Sequence, residues 1–150
     1  MQIETPFGPA WAAVNAKGEL TAFGFGPPKQ NGGGENPEVA RQAKEYFEGT
    51  RQHFDLPLAP EGSPFQQQVW AELRRIGYGE TISYTELARR IGHPGAARAV
   101  GRANATNPIA LVIPCHRVIG SNGKLTGYAY GTELKEQLLN WERLPKPALL

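Results

Sequence analysis

The residues most capable of chemistry in this 150-residue chain surround its single cysteine. Cys115 follows the apolar run 109–113 and Pro114, and it directly precedes His116 and Arg117. A thiolate is a strong nucleophile, and a neighbouring base or positive charge lowers the pKa of a thiol and so activates it. Cysteine is also among the residue types most often buried for structural reasons. The stretch therefore predicts either an activated nucleophile or an ordinary core position.

The residues before Cys115 predict the element that positions it. The stretch 107–114 is apolar apart from Asn107, and it ends at Pro114. An apolar run of this length that stops at a proline is typical of a buried strand. We expect such a strand to deliver Cys115 to a fixed place in the fold.

Two short helices are predicted ahead of this stretch. Ser83 and Glu86 form a capping-box pattern at the start of the first, and Gly92-His93-Pro94-Gly95 separates it from a second helix over residues 96–105. Together they predict a helix-turn-helix. The second helix is rich in alanine and glycine, with Arg98 and Arg102 one turn apart. Small side chains permit close approach to DNA, and arginine contacts phosphates, although small residues also allow tight packing inside a protein.

Charge and composition limit the classes of protein that fit the sequence. Residues 84–124 hold six of the 16 basic residues and one of the 14 acidic residues, which suits a phosphate-facing surface or simply a solvated charged face. One cysteine cannot form an internal disulfide, so we expect a reducing, cytoplasmic location. The sequence shows neither a signal peptide nor an apolar run long enough to span a membrane.

The first 62 residues are predicted to form a scaffold. Three short apolar or alternating runs suggest an antiparallel meander, followed by a loop, a helix and a further strand: 2–6, 10–15, 20–25, 26–37, 37–48 and 54–58. Asn36 and Pro37 fit the start of the helix, and Gly49 its end. No Cys and His pair has the spacing of a metal site, so we expect no metal.

The remainder of the chain, residues 63–150, is predicted to be mainly helical. A helix begins at Ser63-Pro64 and continues to about Ile76, and another covers Leu134 to Trp141 with Glu142 following. The overall prediction is an α+β fold. A small N-terminal strand meander with a helix, residues 1–62, packs on a C-terminal lobe that contains the helix-turn-helix.

Several of these motifs, taken in order, resemble the O6-alkylguanine-DNA alkyltransferases, also called methylated-DNA–protein-cysteine methyltransferases. The resemblance covers residues 63 to about 143. It is carried by Ser83-Tyr84, Ala96-Ala97-Arg98-Ala99-Val100-Gly101, Asn107-Pro108, Ile113-Pro114-Cys115-His116-Arg117-Val118, Gly127-Tyr128, and Leu138-Leu139 with Glu142. The N-terminal lobe is similar only in size and strand-helix character.

The resemblance implies direct reversal of DNA alkylation. Cys115, deprotonated through a water by His116 with Glu142 orienting the imidazole, would attack the alkyl carbon of O6-alkylguanine. Tyr84 would donate a proton to the departing guanine, and Asn107 would organise the turn that carries these groups. Because the thioether product is stable, such a methyltransferase reacts once and needs no cofactor.

The resemblance also implies that a monomer binds double-stranded DNA from the minor groove and flips the damaged nucleotide. Arg98 would fill the gap that the flipped base leaves in the stack. The further DNA contacts would be Tyr84, Ala97, Ala99, Gly101 and Arg102. The guanine pocket would include Val118, Tyr128, Ala129 and Tyr130. Tyr130 stands where many relatives have glycine, so its ring would narrow the pocket or add an aromatic wall.

Two other functions fit the same residues. A module that binds alkylated DNA without repairing it would use the same surface and leave Cys115 inert. A cysteine hydrolase would use Cys115 and His116 to turn over an ester or amide, although the sequence shows no oxyanion motif. Transfer of an alkyl group to Cys115 distinguishes the first function from repair, and turnover identifies the second.

Overall fold

The computed structural model describes residues 1–30 and 32–145. Within that part of the chain the helices and strands form an α+β arrangement. In chain order they are β1 (Gln2–Thr5), β2 (Gly8–Val14), β3 (Leu20–Phe25), α1 (Pro37–Glu48), α2 (Pro64–Leu73), β4 (Ile82–Ser83), α3 (Tyr84–Arg90), α4 (Ala97–Ala105), a 3₁₀ helix (Cys115–Arg117), β5 (Val118–Ile119) and α5 (Thr132–Arg143).

The N-terminal lobe is the predicted meander with its helix. Strands β1, β2 and β3 form an antiparallel sheet in that order, and Thr5 pairs with Gly8 across the first tight turn. Asn36 caps α1 by accepting from the backbone N–H of Glu38, and Gly49 ends the helix in the left-handed conformation at φ 85°. Because these signals act locally, the bounds of α1 follow directly from the sequence.

The C-terminal lobe packs α4 against α2 and α3. Ser63 and Gln66 form a capping box at the start of α2, and the buried indole of Trp70 donates to the carbonyl of Ala103 on α4 at 2.8 Å. The short parallel pairing of β4 with β5 places Ile82 beside Val118. The start of α3 is thereby held next to the end of the 3₁₀ helix that carries Cys115.

Three predicted elements differ from the structure. Residues 107–114 form turns with one isolated bridge between Phe23 and Ile109, and the predicted strand there is wrong. Residues 54–58 likewise contribute only a bridge from Leu58 to Leu20, and α2 ends at Leu73, three residues before Ile76. In each case apolar residues are buried, but burial alone does not require a strand or a helix.

The α+β fold class is confirmed, whereas the division at residue 62 stays a prediction. Helices α3 and α4 are joined by residues 91–96, the arrangement expected of a helix-turn-helix, and its use on DNA is treated below as a proposal. No helix within residues 1–30 and 32–145 is both long and apolar enough to cross a membrane.

Candidate active site

Cys115 opens the 3₁₀ helix directly after Pro114, and its side chain is almost fully buried. Burial raises the pKa of its thiol to about 11, while the Asn107 side chain and Lys135 act in the opposite direction. In the protein without DNA, the loss of hydration at Cys115 therefore outweighs the effect of the nearby charge on the pKa of the thiol. At neutral pH the sulfur keeps its proton, so reaction requires a base.

The Asn107 side chain organises the turns that lead to Cys115. Its Nδ2 donates to the carbonyl of Ile113 at 2.8 Å, and its Oδ1 accepts from the N–H of Ile109 at 3.0 Å. Leu111, between these residues, is the only non-glycine residue with a positive φ in the described part of the chain, at 70°. The amide thus supplies the hydrogen bonds that a neighbouring strand would otherwise provide, and it fixes the path of the backbone to the thiol.

His116 is completely buried and stands next to the thiol in sequence. Its Nε2 lies 2.8 Å from Glu142 Oε2, and its Nδ1 has no hydrogen-bond partner among the described residues. Burial lowers the pKa of His116 despite the opposing effect of Glu142, so the ring is neutral at pH 7. Because a carboxylate only accepts, Nε2 carries the proton and Nδ1 keeps a free lone pair. This imidazole can take up one proton at Nδ1.

Glu142 is the centre of a buried hydrogen-bond network. Its Oε2 accepts from the Tyr46 hydroxyl at 2.7 Å and from Arg117 Nη2 at 2.9 Å. Its Oε1 accepts from Arg117 Nε at 2.9 Å and from the N–H of Gly79 at 3.3 Å. Burial acts to raise the pKa of Glu142, but His116 and Arg117 together hold it well below the usual value. The carboxylate is therefore ionised and can stabilise a protonated imidazole.

Lys135 and Tyr84 meet at one backbone carbonyl. The buried Lys135 Nζ donates to the carbonyl of Thr126 at 2.8 Å, and the Tyr84 hydroxyl donates to the same oxygen at 2.7 Å. Burial lowers the pKa of Lys135 to about 8, with Cys115 opposing. Burial and then Cys115 raise the pKa of Tyr84. Tyr84 is thus a protonated donor close to the sulfur at neutral pH.

An open groove of about 600 Å³ lies between α4 and the segment that follows β5. Four of the predicted DNA contacts on α4 line it, together with Tyr84: Ala97, Arg98, Gly101 and Arg102. Ala99 lines a separate groove toward the start of α2. Gly127, at φ 71°, closes the near side, where a Cβ would lie 2.8 Å from the Tyr84 hydroxyl oxygen. Glycine therefore lets this loop touch the phenol.

The predicted guanine-contacting residues lie on β5 and within the loop that follows it. Val118 and Tyr128 are buried, Ala129 is exposed and Tyr130 is half-buried. The Tyr128 and Tyr130 rings meet edge to face with centroids 5.8 Å apart, and Tyr130 also contacts Phe25 of β3 at 5.6 Å. Tyr130 thus contacts both the ring of Tyr128 and the N-terminal sheet.

Four residues of the site were missed from the sequence: Tyr46, Asn104, Arg117 as a site residue, and Lys135. Asn104 belongs to the site because its Nδ2 donates to the carbonyl of Cys115 at 3.3 Å. Tyr46 shows that the N-terminal lobe is more than a scaffold, because its hydroxyl reaches Glu142. The sequence did contain a signal for Lys135. It lies three residues before Leu138 and four before Leu139, and this spacing places it on the apolar face of its helix.

Among residues 1–30 and 32–145, no cluster of His, Cys, Asp and Glu could hold a metal ion.

Comparison with known proteins identifies the family. Residues 64–144, more than half of the chain, match the family described as 6-O-methylguanine DNA methyltransferase, DNA binding domain. A methylated-DNA–protein-cysteine methyltransferase of Methanosarcina acetivorans is 58% identical over 105 residues, which is 70% of this chain and 67% of the relative. The protein of that description from Methanosarcina barkeri is 52% identical over 149 residues, covering 93% of this chain and 94% of the relative.

Solved structures agree with the sequence relatives. The crystal structure of Mycobacterium tuberculosis OGT in complex with DNA has a TM-score of 0.86 at 44% identity and covers 95% of this chain and 91% of that one. The chain belongs to the O6-methylguanine-DNA methyltransferase family.

Lys135→Met should raise the pKa of the Cys115 thiol above its value of about 11, because the charge opposing burial is lost. We expect the reaction of Cys115 with iodoacetamide at pH 7 to slow severalfold, since a shift of about one unit changes the thiolate fraction about tenfold. The difference in alkylation rate between Lys135→Met and the wild type should become smaller above pH 8, where Lys135 itself loses its proton. Mass spectrometry of the alkylated cysteine across pH measures both effects.

The exposed Lys124 supplies the matched control for this experiment. Lys124→Met removes the same charge from the same half of the chain, and its pH–rate profile should match that of the wild type. Superimposable profiles for Lys135→Met and the wild type would show that Lys135 does not tune the thiol.

Proposed function

We propose that this protein repairs DNA by transferring the alkyl group of O6-alkylguanine to the sulfur of Cys115, once per molecule. The observation that carries the proposal is the neutral, buried His116 with a free Nδ1 directly after a buried thiol. Tyr84 connects this pair to the groove on α4, because it lines the groove and because burial, and then Cys115, raise the pKa of its phenol. A nucleophile, a base and a nucleic-acid surface thus occupy one region.

The proton of the thiol passes to His116 as the sulfur attacks. Through one intervening water, Nδ1 takes the proton, and the ionised Glu142 stabilises the imidazolium that forms. The new bond joins sulfur to the alkyl carbon while the bond from that carbon to guanine O6 breaks, and the bonding pair goes to the guanine. The resulting thioether is neutral and is no longer a nucleophile, so each molecule reacts once and acts as both enzyme and acceptor.

The departing guanine needs a proton donor, because a purine anion is a poor leaving group. Tyr84 fills that role, since its raised pKa keeps the hydroxyl protonated at neutral pH. In the protein without DNA, this hydroxyl donates a hydrogen bond to the carbonyl of Thr126. When the base enters the site, the hydroxyl donates to the guanine instead. The carbonyls of Cys115 and Val118 and the N–H of Ala129 face the guanine edges, with Tyr128 against its plane.

DNA binds along α4 from the minor groove, with the damaged nucleotide turned out of the helix. Arg98 and Arg102 have exposed side chains without an ion pair in the described part of the chain, so both are available to DNA. Arg98 enters the stack in place of the extruded base, and the small residues Ala97, Ala99 and Gly101 let the backbone of α4 come close. The free thiol and the DNA substrate support a reducing, cytoplasmic location.

Incubation of the protein with an oligonucleotide duplex carrying O6-methylguanine tests this proposal. Intact mass should increase by one methyl group per protein molecule, and peptide mapping should place that group on Cys115. Excess substrate should give no second transfer. Tight binding to the lesion without an adduct would identify a damage-recognition module instead, and neither adduct nor binding would reject both functions.

Arg98→Ala should reduce transfer from duplex DNA far more than transfer from the free base O6-methylguanine. The reason is that Arg98 holds the flipped state, a step that the free base does not require. We expect a loss of roughly 10- to 100-fold on the duplex, the range of a few kcal/mol for base unstacking. Equal losses on both substrates would contradict this role, and Arg51→Ala, on the N-terminal lobe, provides a control arginine.

A further inference from the structure

A second cavity, of about 140 Å³, lies at the end of α2 and has no role in the mechanism above. Three segments line it: residues 52–54, residues 74–77, and the turns that lead to Cys115. It shares no lining residue with the groove on α4, so it is separate from the proposed DNA surface. One water in the liquid takes up roughly 30 Å³, so the cavity has room for an ion of several heavy atoms.

The charged side chains that line this cavity are basic, and none of its described lining residues is acidic. Arg74 and Arg75 are exposed and form no ion pair within the described part of the chain. Gln52 and His53 add two further side chains that are able to donate. Arginines that follow a helix also oppose its dipole, but that effect does not explain a third arginine at the same cavity.

The third arginine is Arg117, which belongs to the buried Glu142 network. Its side chain is only 8% exposed. Nε and Nη2 each donate to Glu142, and Nη1 donates to the carbonyl of Ile76 at 2.7 Å. A guanidinium has five N–H groups, so one on Nη1 and one on Nη2 make no hydrogen bond within the described residues. Because buried donors without an acceptor are unfavourable, an acceptor is expected in the cavity that Arg117 lines.

We propose that this cavity binds a phosphate-type oxyanion between Arg74, Arg75 and the two unengaged N–H groups of Arg117, and that the bound ion increases the reactivity of Cys115. Guanidinium groups donate in pairs to the oxygens of such ions. The ion is free phosphate or the terminal phosphate of a nucleotide, because 140 Å³ holds one phosphate group but not the sugars on both sides of a phosphodiester.

The bound ion is coupled to the active site through one carboxylate oxygen. Arg117 Nη2 and His116 Nε2 lie 2.9 and 2.8 Å from the same Oε2 of Glu142. Burial is the largest cause that lowers the pKa of His116, and Arg117 lowers it further. An anion beside Arg117 offsets that charge, so His116 becomes a stronger base toward the thiol. The coupling therefore rests on the role proposed above for His116, whereas the binding does not.

A phosphorus NMR titration with sodium phosphate at pH 7 and constant ionic strength tests the binding. We expect a dissociation constant of roughly 1 mM, and at least about a tenfold loss of affinity in the double variant Arg74→Gln/Arg75→Gln, which removes charge-assisted hydrogen bonds. Both side chains are exposed, so this variant should fold. Arg89→Gln/Arg90→Gln removes the same charge from the end of α3, outside the cavity, and should bind phosphate as the wild type does.

The same titration with thymidine 5′-monophosphate, and with thymidine as the blank, identifies the source of the phosphate. Tighter binding of the nucleotide than of inorganic phosphate would assign the site to a nucleotide, and weaker binding would assign it to the free ion. No saturable binding of either, or equal weakening in the two double variants, would overturn the site.

Alkylation of Cys115 by iodoacetamide tests the coupling, because this reagent requires neither DNA nor guanine. Replacing chloride by phosphate at pH 7 and constant ionic strength should raise the rate severalfold in the wild type and in Arg89→Gln/Arg90→Gln, but not in Arg74→Gln/Arg75→Gln. An unchanged rate in the wild type, or an equal rise in all three proteins, would overturn the coupling. Absence of methyl transfer from O6-methylguanine would reject the proposed function and leave the phosphate titration unaffected.

Discussion

Cys115→Ser will bind duplex DNA carrying O6-methylguanine but will gain no methyl group. Serine has nearly the shape of cysteine, and the turns that hold this position are fixed by Asn107, so the fold and the DNA surface should be retained. The hydroxyl, however, is a far weaker nucleophile than a thiol whose proton passes to His116. We expect transfer to fall by at least about 10³-fold, to below detection by intact mass.

Parallel measurements on Cys115→Ser distinguish the three functions that the sequence allows. Affinity for the damaged duplex should stay within roughly threefold of the wild type, because the contacts along α4 do not involve the sulfur. If the wild type hydrolysed an ester repeatedly and this variant did not, Cys115 would belong to a hydrolase. A methyl group gained by Cys115→Ser would place the nucleophile at another residue and overturn the proposed mechanism.

The helices were largely predictable because their ends are encoded locally. Asn36 with Pro37, Ser63 with Gln66, and Ser83 each provide an acceptor for N–H groups that the first turn leaves unpaired. The approach to Cys115 was not predictable, since an apolar run is equally compatible with a strand and with a buried turn. The side chain of Asn107 and the positive φ of Leu111 decide in favour of turns, and neither leaves a periodic pattern.

The site was predictable where the motif is contiguous and unpredictable where the fold assembles it. Cys115 and His116 are adjacent, so their pairing is visible in the sequence. Tyr46 and Glu142 are 96 positions apart. In the sequence, Tyr46 has only the pattern of a residue on the apolar face of α1, and nothing there indicates that its hydroxyl donates to the Glu142 carboxylate. Lys135 lies on the buried face of α5, but a lysine there more often extends its amine to solvent.

Glu142→Gln should combine a large loss of stability with a loss of alkyl transfer. The carboxylate accepts from Tyr46 and from two nitrogens of Arg117, and it contacts His116, all in the interior. A glutamine amide has one acceptor oxygen and leaves the buried Arg117 charge uncompensated. Breaking a buried ion pair in this way costs about 3–5 kcal/mol of unfolding free energy. Urea denaturation measures that loss, and intact mass measures transfer.

Tyr46→Phe separates the two parts of this prediction. It removes one donor and leaves the carboxylate, Arg117 and His116 in place, so we expect a loss of about 1.5–3 kcal/mol with transfer retained. If it abolished transfer as completely as Glu142→Gln does, the chemical role assigned to the carboxylate would be wrong.

The stability that Glu142 contributes should depend on pH in one direction. Its pKa is lower in the folded protein than the ordinary value of 4.5, so the contribution is complete above about pH 4.5 and declines as the pH falls further. Glutamine does not ionise, so the difference in unfolding free energy between wild type and Glu142→Gln should be largest at pH 7 and smaller at pH 3. A difference that stayed constant would show that packing, rather than the charge shared with Arg117 and His116, makes this residue important.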